Sequence, residues 1–401
     1  MHRNGKINQQ TVKHGNIEAV FTAIKDNKGI SRARLSKTLS LSRSTVTVIV
    51  DDLKSRGLVV DTGVCDEGFG GIGRTAFAVA VNPDDNYVIG VEISPGLLKC
   101  VAYDLKIDPV ADETVAYDGT STLLIDELEA CLRRLIAKLS GKKVWAIGCV
   151  VGEFIGYIDY RKNEFHFTEP YGVNRDVIPV SILSERLGLP VCINEAAIIL
   201  GMAERRMYYA DSRTFLYFYV AGGVSVSVFQ DGELLSGAHG PMSEFGHVSV
   251  DLSGPRCMCG NRGCLEMYVS NRALLRYIGE YYNGIDAWWY ARLTWEDAVA
   301  AYHDGNPAAV HAVGRLNDAL AAGIVNATNL INPDTIVLGG ASMSYGEAFL
   351  NRVSDKVRGT VIYQYKNDLM IHYARHSVEL LAPGAAQDAY ERSRAAILFS
   401  G

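Results

Sequence analysis

The sequence predicts an α/β protein in which a small, basic, helical head precedes a larger body of two lobes. Residues 1–60 contain eleven Lys or Arg and four Asp or Glu, a balance of +7, whereas the whole chain has a net charge of −6. From about residue 86, apolar runs of strand length alternate with amphipathic helical segments, as in α/β layers. The order strand, hairpin, helix occurs twice there, which indicates two similar lobes. A basic head on an acidic body indicates that the head alone meets a polyanion.

The bulk composition is that of an ordinary globular protein of 401 residues, with 48% hydrophobic and 21% charged residues. No apolar run approaches the roughly 20 residues that a membrane helix needs. The polar N-terminus lacks the hydrophobic segment of a secretory signal. We therefore expect a cytoplasmic protein without a membrane partner.

Three helices are predicted in the head. The first lies within residues 15–29, ends at Gly29 and buries one apolar stripe, which comprises Ile17, Val20, Phe21 and Ile24. Ser31 and Ser42 are the expected N-caps of the second and third helices. The third helix is stopped by Gly57, and its buried stripe comprises Val46, Ile49, Val50 and Leu53.

The exposed face of the third helix carries side chains suited to DNA. Near its start lie Arg43, Ser44, Thr45 and Thr47. Hydroxyl groups there reach phosphates, and a guanidinium group reaches base edges in the major groove. Residues 58–83 follow as strand, Gly-rich turn and strand, a wing whose Arg74 can enter a minor groove. These features predict a winged helix-turn-helix over residues 1–82 that binds double-stranded operator DNA. The alternative is a three-helix unit whose charges are merely solvated.

Several segments of the body have clear periodicity. Residues 87–105 are a predicted β-hairpin, and residues 121–141 are an amphipathic helix that ends at glycine. The other predicted elements are a buried strand at 143–153, helix, strand and helix over 180–207, two strands with a hairpin over 214–237, and strand, Gly-Gly turn and helix over 331–359.

Three of the eight cysteines are clustered, and a histidine precedes them. Cys257, Cys259 and Cys264 lie within eight residues, and His247 lies ten residues before the first of them. Zinc prefers tetrahedral sulfur and nitrogen ligands, and a site whose four positions are all filled by protein is structural. We therefore predict a structural Zn²⁺ site; the alternative is an unmetallated loop. The scattered cysteines are expected to be buried core residues: Cys65, Cys100, Cys131, Cys149 and Cys192.

Four stretches of the body carry a resemblance to one protein family. They are GELLSGAHGPMSEFGH (232–247), CMCGNRGCLE (257–266), VCINEAAIILGMAER (191–205) and INPDTIVLGG (331–340). On these stretches the chain resembles the ROK family of repressors, open reading frames and kinases, and most closely its transcriptional-regulator branch. The resemblance implies a two-lobed, actin-like ATPase fold whose cleft binds sugar, and ATP in the kinases. The implied effector domain is 86–401, with a smaller lobe at about 86–195 plus a C-terminal helix at about 382–401, and a larger, zinc-containing lobe at about 196–381.

The resemblance also implies which residues contact the sugar. By motif match, the ligand-binding residues are Asn194, Glu195, Glu244, His247 and Glu266, and His247 also binds the metal. Each carboxylate accepts several O–H hydrogen bonds, which suits a polyhydroxyl ligand. Gly152-Glu153 stands where the kinases carry Pro-Gly, so the pocket is expected to favour a different sugar or a derivative.

Departures from the kinase motifs predict that phosphoryl transfer is lost. The first phosphate loop has Asp, Gly and Thr in the kinases, and here has Glu92, Ser94 and Gly96. The second loop, 221–227, keeps only Gly223 of a glycine run, although backbone N–H groups need that freedom to close on phosphate. Glu195 replaces the catalytic Asp, and its extra methylene moves the carboxylate by roughly 1 Å or more. The domain is therefore expected to be a non-catalytic sensor.

These predictions combine into one hypothesis for function. The chain is expected to be a DNA-binding transcriptional regulator, a repressor of carbohydrate genes, that binds a pseudo-palindromic operator as a homodimer or homotetramer. A sugar or sugar derivative closes the cleft and changes operator affinity by population shift. The rivals are an active ATP-dependent sugar kinase with an appended DNA-binding head, and a regulator controlled by a protein partner.

Overall fold

The computed structural model describes residues 9–64, 77–94, 96–116, 121–152, 156–167, 177–282, 292–362 and 368–399. Three residues singled out in the sequence, Cys65, Arg74 and Glu153, lie outside the described residues. Within the described part, a helical head is followed by two α/β lobes. The predicted α/β class and the two-lobed body are confirmed.

The head consists of three helices and a small sheet. Its elements are α1 (Gln9–Lys25), β1 (Ile30–Ser31), α2 (Arg32–Leu39), α3 (Arg43–Ser55), β2 (Val59–Val64) and β3 (Phe77–Val81), with the strands in the order β1-β3-β2. Both predicted N-caps are confirmed, because Ser31 Oγ and Ser42 Oγ each accept a hydrogen bond from a backbone N–H at 3.1 Å. The predicted apolar stripes of α1 and α3 are buried and form the core of the head.

The first helix differs from the prediction at both ends. α1 spans Gln9–Lys25 instead of lying within 15–29. Its early turns lack an apolar stripe, but the ring of His14 stacks on the ring of Phe399 with centroids 4.0 Å apart. At the other end, the Asn27 side chain donates to a backbone carbonyl of the last turn at 2.7 Å. A tertiary contact at one end and a side-chain cap at the other thus set the bounds of α1, which the apolar periodicity did not predict.

The smaller lobe is built on a mixed five-stranded sheet. Its elements are β4 (Asn86–Ser94), β5 (Leu97–Asp104), β6 (Pro109–Ala116), α4 (Ser121–Lys138), β7 (Lys143–Val151), β8 (Gly156–Asp159), β9 (Glu164–Phe167), β10 (Val177–Pro179), α5 (Val180–Leu187) and β11 (Val191–Glu195). The strand orders are β11-β7-β4-β5-β6 and β10-β9-β8, and β4 and β5 form the predicted hairpin. Because β7 and β11 are parallel neighbours, their last residues, Val151 and Glu195, lie side by side at one edge of the lobe.

The larger lobe has a second five-stranded sheet between helices. Its elements are α6 (Ala196–Tyr208), β12 (Thr214–Val220), β13 (Val224–Gln230), β14 (Glu233–Leu234), β15 (Ser236–Gly237), β16 (Gly240–Pro241), α7 (Glu266–Val269), α8 (Asn271–Tyr281), α9 (Trp295–His303), α10 (Pro307–Ile331), β17 (Thr335–Gly340), α11 (Glu347–Thr360) and β18 (Met370–Tyr373). The sheet order is β14-β13-β12-β17-β18. Helices α7 to α11 bury their apolar faces on one side of the sheet, and α6 packs on the other. Among all described helices, none is both long enough and apolar enough to span a bilayer.

The last helix, α12 (Leu381–Phe399), packs against both the smaller lobe and the head. It lies on β4 and β7 at two glycines, Gly90 and Gly148, which are register partners. A Cβ atom added at Gly90 would lie 1.9 Å from Ala382 O, and one added at Gly148 would lie 1.9 Å from Ala385 O. Only glycine permits so close an approach of helix and sheet.

Candidate functional site

Four of the residues predicted to meet DNA lie together at the start of α3. Arg43, Ser44 and Thr47 are exposed, and Thr45 is half-buried. The hydroxyl oxygens of Ser44 and Thr45 each lie 2.8 Å from Ser42 Oγ. The helix cap therefore organises two of the hydroxyl groups on this face.

Val48 belongs to the same face, and sequence reasoning missed it. Its side chain is 68% exposed, whereas Val46 and Val50 in the same helix are buried. An exposed apolar side chain beside hydroxyl groups can contact a thymine methyl group in a major groove. The signal available in the sequence was a valine that falls outside the buried stripe.

The three clustered cysteines and His247 converge on one point. Their candidate ligand atoms all lie within 4.8 Å of one another. Cys257 Sγ lies 3.6 Å from His247 Nδ1, and Cys259 Sγ lies 3.6 Å from Cys264 Sγ. Tetrahedral zinc, with Zn–S of about 2.3 Å and Zn–N of about 2.0 Å, requires about 3.8 Å between two sulfurs and about 3.5 Å between sulfur and nitrogen. The four residues therefore fit a tetrahedral metal ion.

A tight backbone turn holds the cysteines close together. Cys257 N donates to Asn261 O at 2.8 Å and closes the turn between the cysteines. Gly263 has φ +64°, and a Cβ atom there would lie 1.7 Å from Asp251 O. A side chain at this position would push Cys264 away from the cluster, so the glycine is part of the site's geometry.

A cavity of about 560 Å³ opens beside the His/Cys cluster, and both His247 and Cys259 contribute to its lining. It is lined by four of the five predicted ligand-binding residues, Glu195, Glu244, His247 and Glu266. His247 takes part in both sites. Its Nδ1 faces Cys257, and its Nε2 lies 3.7 Å from Glu244 Oε2. A metal bound at Nδ1 leaves Nε2 to the cavity.

The fifth predicted residue, Asn194, is not among the residues that line the cavity. Its side chain is buried, and Nδ2 donates to Asp388 Oδ2 at 2.9 Å. Asp388 lies on α12 and also accepts a hydrogen bond from Arg392 Nε at 3.0 Å. Asn194 therefore connects the strand that carries Glu195 to the last helix.

Glu195 is surrounded by three hydroxyl groups. Its carboxylate accepts hydrogen bonds from Ser225 Oγ at 2.8 Å, Ser243 Oγ at 3.2 Å and Tyr160 OH at 3.4 Å. A carboxylate has about four acceptor positions, so about one remains for a ligand hydroxyl. Burial, and next the Glu244 carboxylate, raise the pKa of Glu195 to about 7, against the lowering effect of the three hydroxyls. Sequence reasoning missed these hydroxyl residues, because their contacts join distant parts of the chain.

Glu195→Gln is expected to flatten the dependence of stability on pH. Because the folded-state pKa lies above the usual 4.5, the folded protein binds more protons than the unfolded chain between about pH 4.5 and 7. Stability contributed by Glu195 is therefore lost as pH rises through this window, on the order of 3 kcal/mol. Denaturant unfolding from pH 4.5 to 8 measures this loss. The exposed control Glu233→Gln should keep the wild-type slope, and an unchanged slope in Glu195→Gln would contradict the assignment.

A model of the ROK family matches residues 88–389, which is most of the chain. The chain belongs to the ROK family. A model of the winged helix-turn-helix DNA-binding domain matches residues 17–60, so the predicted head is confirmed. The boundaries drawn at 82 and 86 and between the lobes stay predictions.

Among relatives of this ROK chain, the xylose repressor of Bacillus spizizenii is 27% identical over 365 residues, 90% of either chain. The crystal structure of a ROK family transcriptional regulator, a homolog of the E. coli Mlc protein, has a TM-score of 0.79 at 24% identity and covers 97% of this chain and 100% of its own. The ROK hexokinase of Thermus thermophilus has a TM-score of 0.64 at 23% identity and covers 77% of this chain and 99% of its own. Both structures show the same fold.

The second phosphate-loop segment of this ROK chain, 221–227, contacts a cavity carboxylate. Val224 N donates to Glu266 Oε2 at 3.0 Å. A Cβ atom added at Gly223 would lie 3.0 Å from the same oxygen. The Glu266 carboxylate therefore accepts a hydrogen bond from a backbone N–H group of the kind that phosphate-binding loops offer to phosphate oxygens.

Proposed function

We propose that the chain is a DNA-binding transcriptional regulator, a repressor of carbohydrate genes, whose body binds a sugar or sugar derivative without phosphorylating it. One observation carries the proposal: the chain contains both a winged helix-turn-helix and a ROK body, and it aligns with a xylose repressor over 90% of either chain. The regulator structure covers 97% of the chain, whereas the hexokinase structure covers 77%.

The sugar is proposed to lie against Glu195, Glu244, His247 and Glu266. Carboxylates accept hydrogen bonds from several hydroxyls of one sugar, and His247 Nε2 adds a donor when Nδ1 binds metal. Asn194 supports Glu195 from behind rather than contacting the sugar, since its side chain donates to Asp388. Burial raises the pKa of Glu244, which the neighbouring Glu266 carboxylate raises further and His247 opposes.

Zinc is the metal proposed for His247, Cys257, Cys259 and Cys264. Thiolates are soft ligands and select zinc over Mg²⁺ or Ca²⁺. With four protein ligands, the ion would have a structural role. It would hold His247 in one orientation and thereby fix one wall of the cavity.

Helix α12 is the proposed route from the cavity to the DNA. At one end, Asp388 is bonded to Asn194, the residue before Glu195. At the other end, Arg56 of the head donates through Nη1 to Leu398 O at 2.6 Å. Sugar that closes the cleft would move this helix and reorient the paired heads of a homodimer or homotetramer on the operator.

We propose no phosphoryl transfer, for two reasons. The Val224 N–H group already donates to Glu266, and Glu195 stands where the kinases have an Asp. Incubation with ATP, Mg²⁺ and a panel of xylose, glucose and N-acetylglucosamine should give no sugar-dependent ADP. Robust release of ADP would instead support the kinase rival. In the same panel, at least one sugar should raise the melting temperature. A rise with a partner protein and with none of the sugars would support the second rival.

Arg43→Ala is expected to lower DNA affinity about tenfold or more, because a guanidinium contact to a base edge is worth about 1 to 3 kcal/mol. The probe is a duplex selected from a random pool by the wild-type protein, and binding is followed by anisotropy at several salt concentrations. Arg213→Ala, an exposed arginine of the body, is the control and should bind as the wild type does. Equal affinity of Arg43→Ala and the control would show that the recognition helix is misplaced.

A further inference from the structure

One wall of the cavity is apolar and has no role in the proposed sugar contacts. It is formed by the paired strands β8 and β9, which contribute Tyr157, Ile158 and Phe165 to the cavity lining. The volume of about 560 Å³ falls within the roughly 300 to 1,000 Å³ typical of pockets for drug-sized molecules, which are larger than one monosaccharide. The cavity therefore has room and a surface for more than the group that the carboxylates hold.

Tyr157 is the best-placed aromatic side chain on this wall. It lies on β8 directly opposite His166 of β9, and the two rings stack with centroids 4.8 Å apart and an angle of 5° between their planes. His166 therefore supports one face of the tyrosine ring. Tyr157 nevertheless stays 47% exposed while it lines the cavity. A supported, exposed aromatic ring at a cavity wall is a surface on which a second ring can stack.

A free monosaccharide does not match both walls. Its hydroxyl groups cover its rim, and those directed at the apolar wall would lose water without gaining a hydrogen-bond partner. A ligand that is rich in hydroxyls at one end and carries a flat apolar ring face at the other satisfies both. Glycosides whose aglycone is a ring have this structure, because the glycosidic oxygen joins the sugar to a second ring.

We propose that the effector is a glycoside, whose sugar lies at the carboxylates and whose second ring stacks on Tyr157. This rests on the proposed function, since it assumes that the carboxylate end holds sugar. The second ring can be an aryl group, or another sugar, as in a disaccharide, that turns a flat face to the tyrosine and keeps its rim hydroxyls off the apolar wall. Tyr157 is then a specificity-determining residue for the ligand.

Matched pairs of probes test the proposal on the full-length protein by titration calorimetry. The free sugars are xylose, glucose and N-acetylglucosamine; each is compared with its β-1,4-linked disaccharide and its p-nitrophenyl β-glycoside. For at least one sugar, a two-ring probe is expected to bind about tenfold more tightly than the free sugar. Tyr157→Ala should abolish this gain and change the free-sugar affinity by less than about twofold. Comparison of the disaccharides with the p-nitrophenyl glycosides then shows whether the preferred second ring is a sugar or an aryl group.

Two results would overturn the glycoside proposal while leaving sugar sensing intact. One is that free sugars bind as tightly as every two-ring probe; the other is that Tyr157→Ala weakens free sugar and glycoside equally. Tyr157→Phe should keep the gain, because stacking needs the ring and not the hydroxyl. Tyr281→Ala, which removes a tyrosine of similar exposure (46%) outside the cavity lining, is the control. If no probe of either kind binds, the proposed function itself fails.

Discussion

Gly148→Ala is expected to lower the free energy of unfolding by about 3 kcal/mol or more, because the added methyl group clashes with helix α12. The added Cβ atom would lie 1.9 Å from Ala385 O, which is backbone and cannot rotate away. Helix α12 would have to lift from β7. The contact that the same helix makes with the head would then be lost as well. Urea unfolding followed by circular dichroism measures the change.

Gly314→Ala is the matched control for this substitution. Gly314 lies inside α10, and nothing lies within 4 Å of the position of its added Cβ. Alanine in a helix restricts the unfolded chain, so this variant should be as stable as the wild type or more stable by about 0.5 to 1 kcal/mol. If Gly148→Ala behaved like Gly314→Ala, α12 would not pack on the sheet as described.

We expect Cys259→Ser to abolish binding of the proposed zinc and to weaken the proposed sugar binding about 10- to 100-fold, the usual effect of disturbing the support of a functional residue. Cys259 is exposed, so serine leaves no buried cavity, and the loss can be assigned to the missing thiolate ligand. Without metal, the His247 ring is no longer held between Cys257 and Glu244. Metal analysis of freshly purified protein should give about one zinc per wild-type chain and less than about half of that for the variant.

Cys131→Ser controls for loss of a thiol elsewhere. Cys131 is buried away from the cluster, and its thiol makes only a long contact of 3.8 Å to Glu113 O, so the substitution removes a thiol without touching the candidate metal site. This variant should keep the zinc and the sugar affinity of the wild type. Wild-type protein that contains no zinc would disprove the metal assignment, and Cys259→Ser protein that keeps full zinc would disprove the role of Cys259.

Local patterns predicted the elements whose signals lie within a few residues. Ser31 and Ser42 cap their helices as expected, because an N-cap bonds only to the backbone three residues ahead. The hairpin of β4 and β5 and the strand at β7 followed from apolar runs bounded by turns. The helices α8, α9 and α10 were not predicted, although they supply much of the core of the larger lobe.

The candidate site was predictable to the extent that its residues are close in sequence. The metal cluster lies within one stretch, 247–264, so its spacing alone indicated four ligands that the structure brings together. The hydroxyl groups around Glu195 come from three other segments, and no local pattern connects them. The hydrogen bond that connects Asn194 to α12 depends on Asp388, a residue 194 positions further along the chain.

The sequence by itself determined the basic head, its helix caps, the His/Cys cluster and the family motifs, since each depends on residue type and short spacing. The tertiary structure decided which residues from distant parts of the chain contact one another. It brought Glu266 to the Val224 N–H group, placed Tyr157 on an apolar wall and set α12 against two glycines, with Arg56 bonded to Leu398 across 342 residues. Such contacts arise when elements pack, and packing depends on the complementary surfaces of distant segments rather than on the pattern of any one.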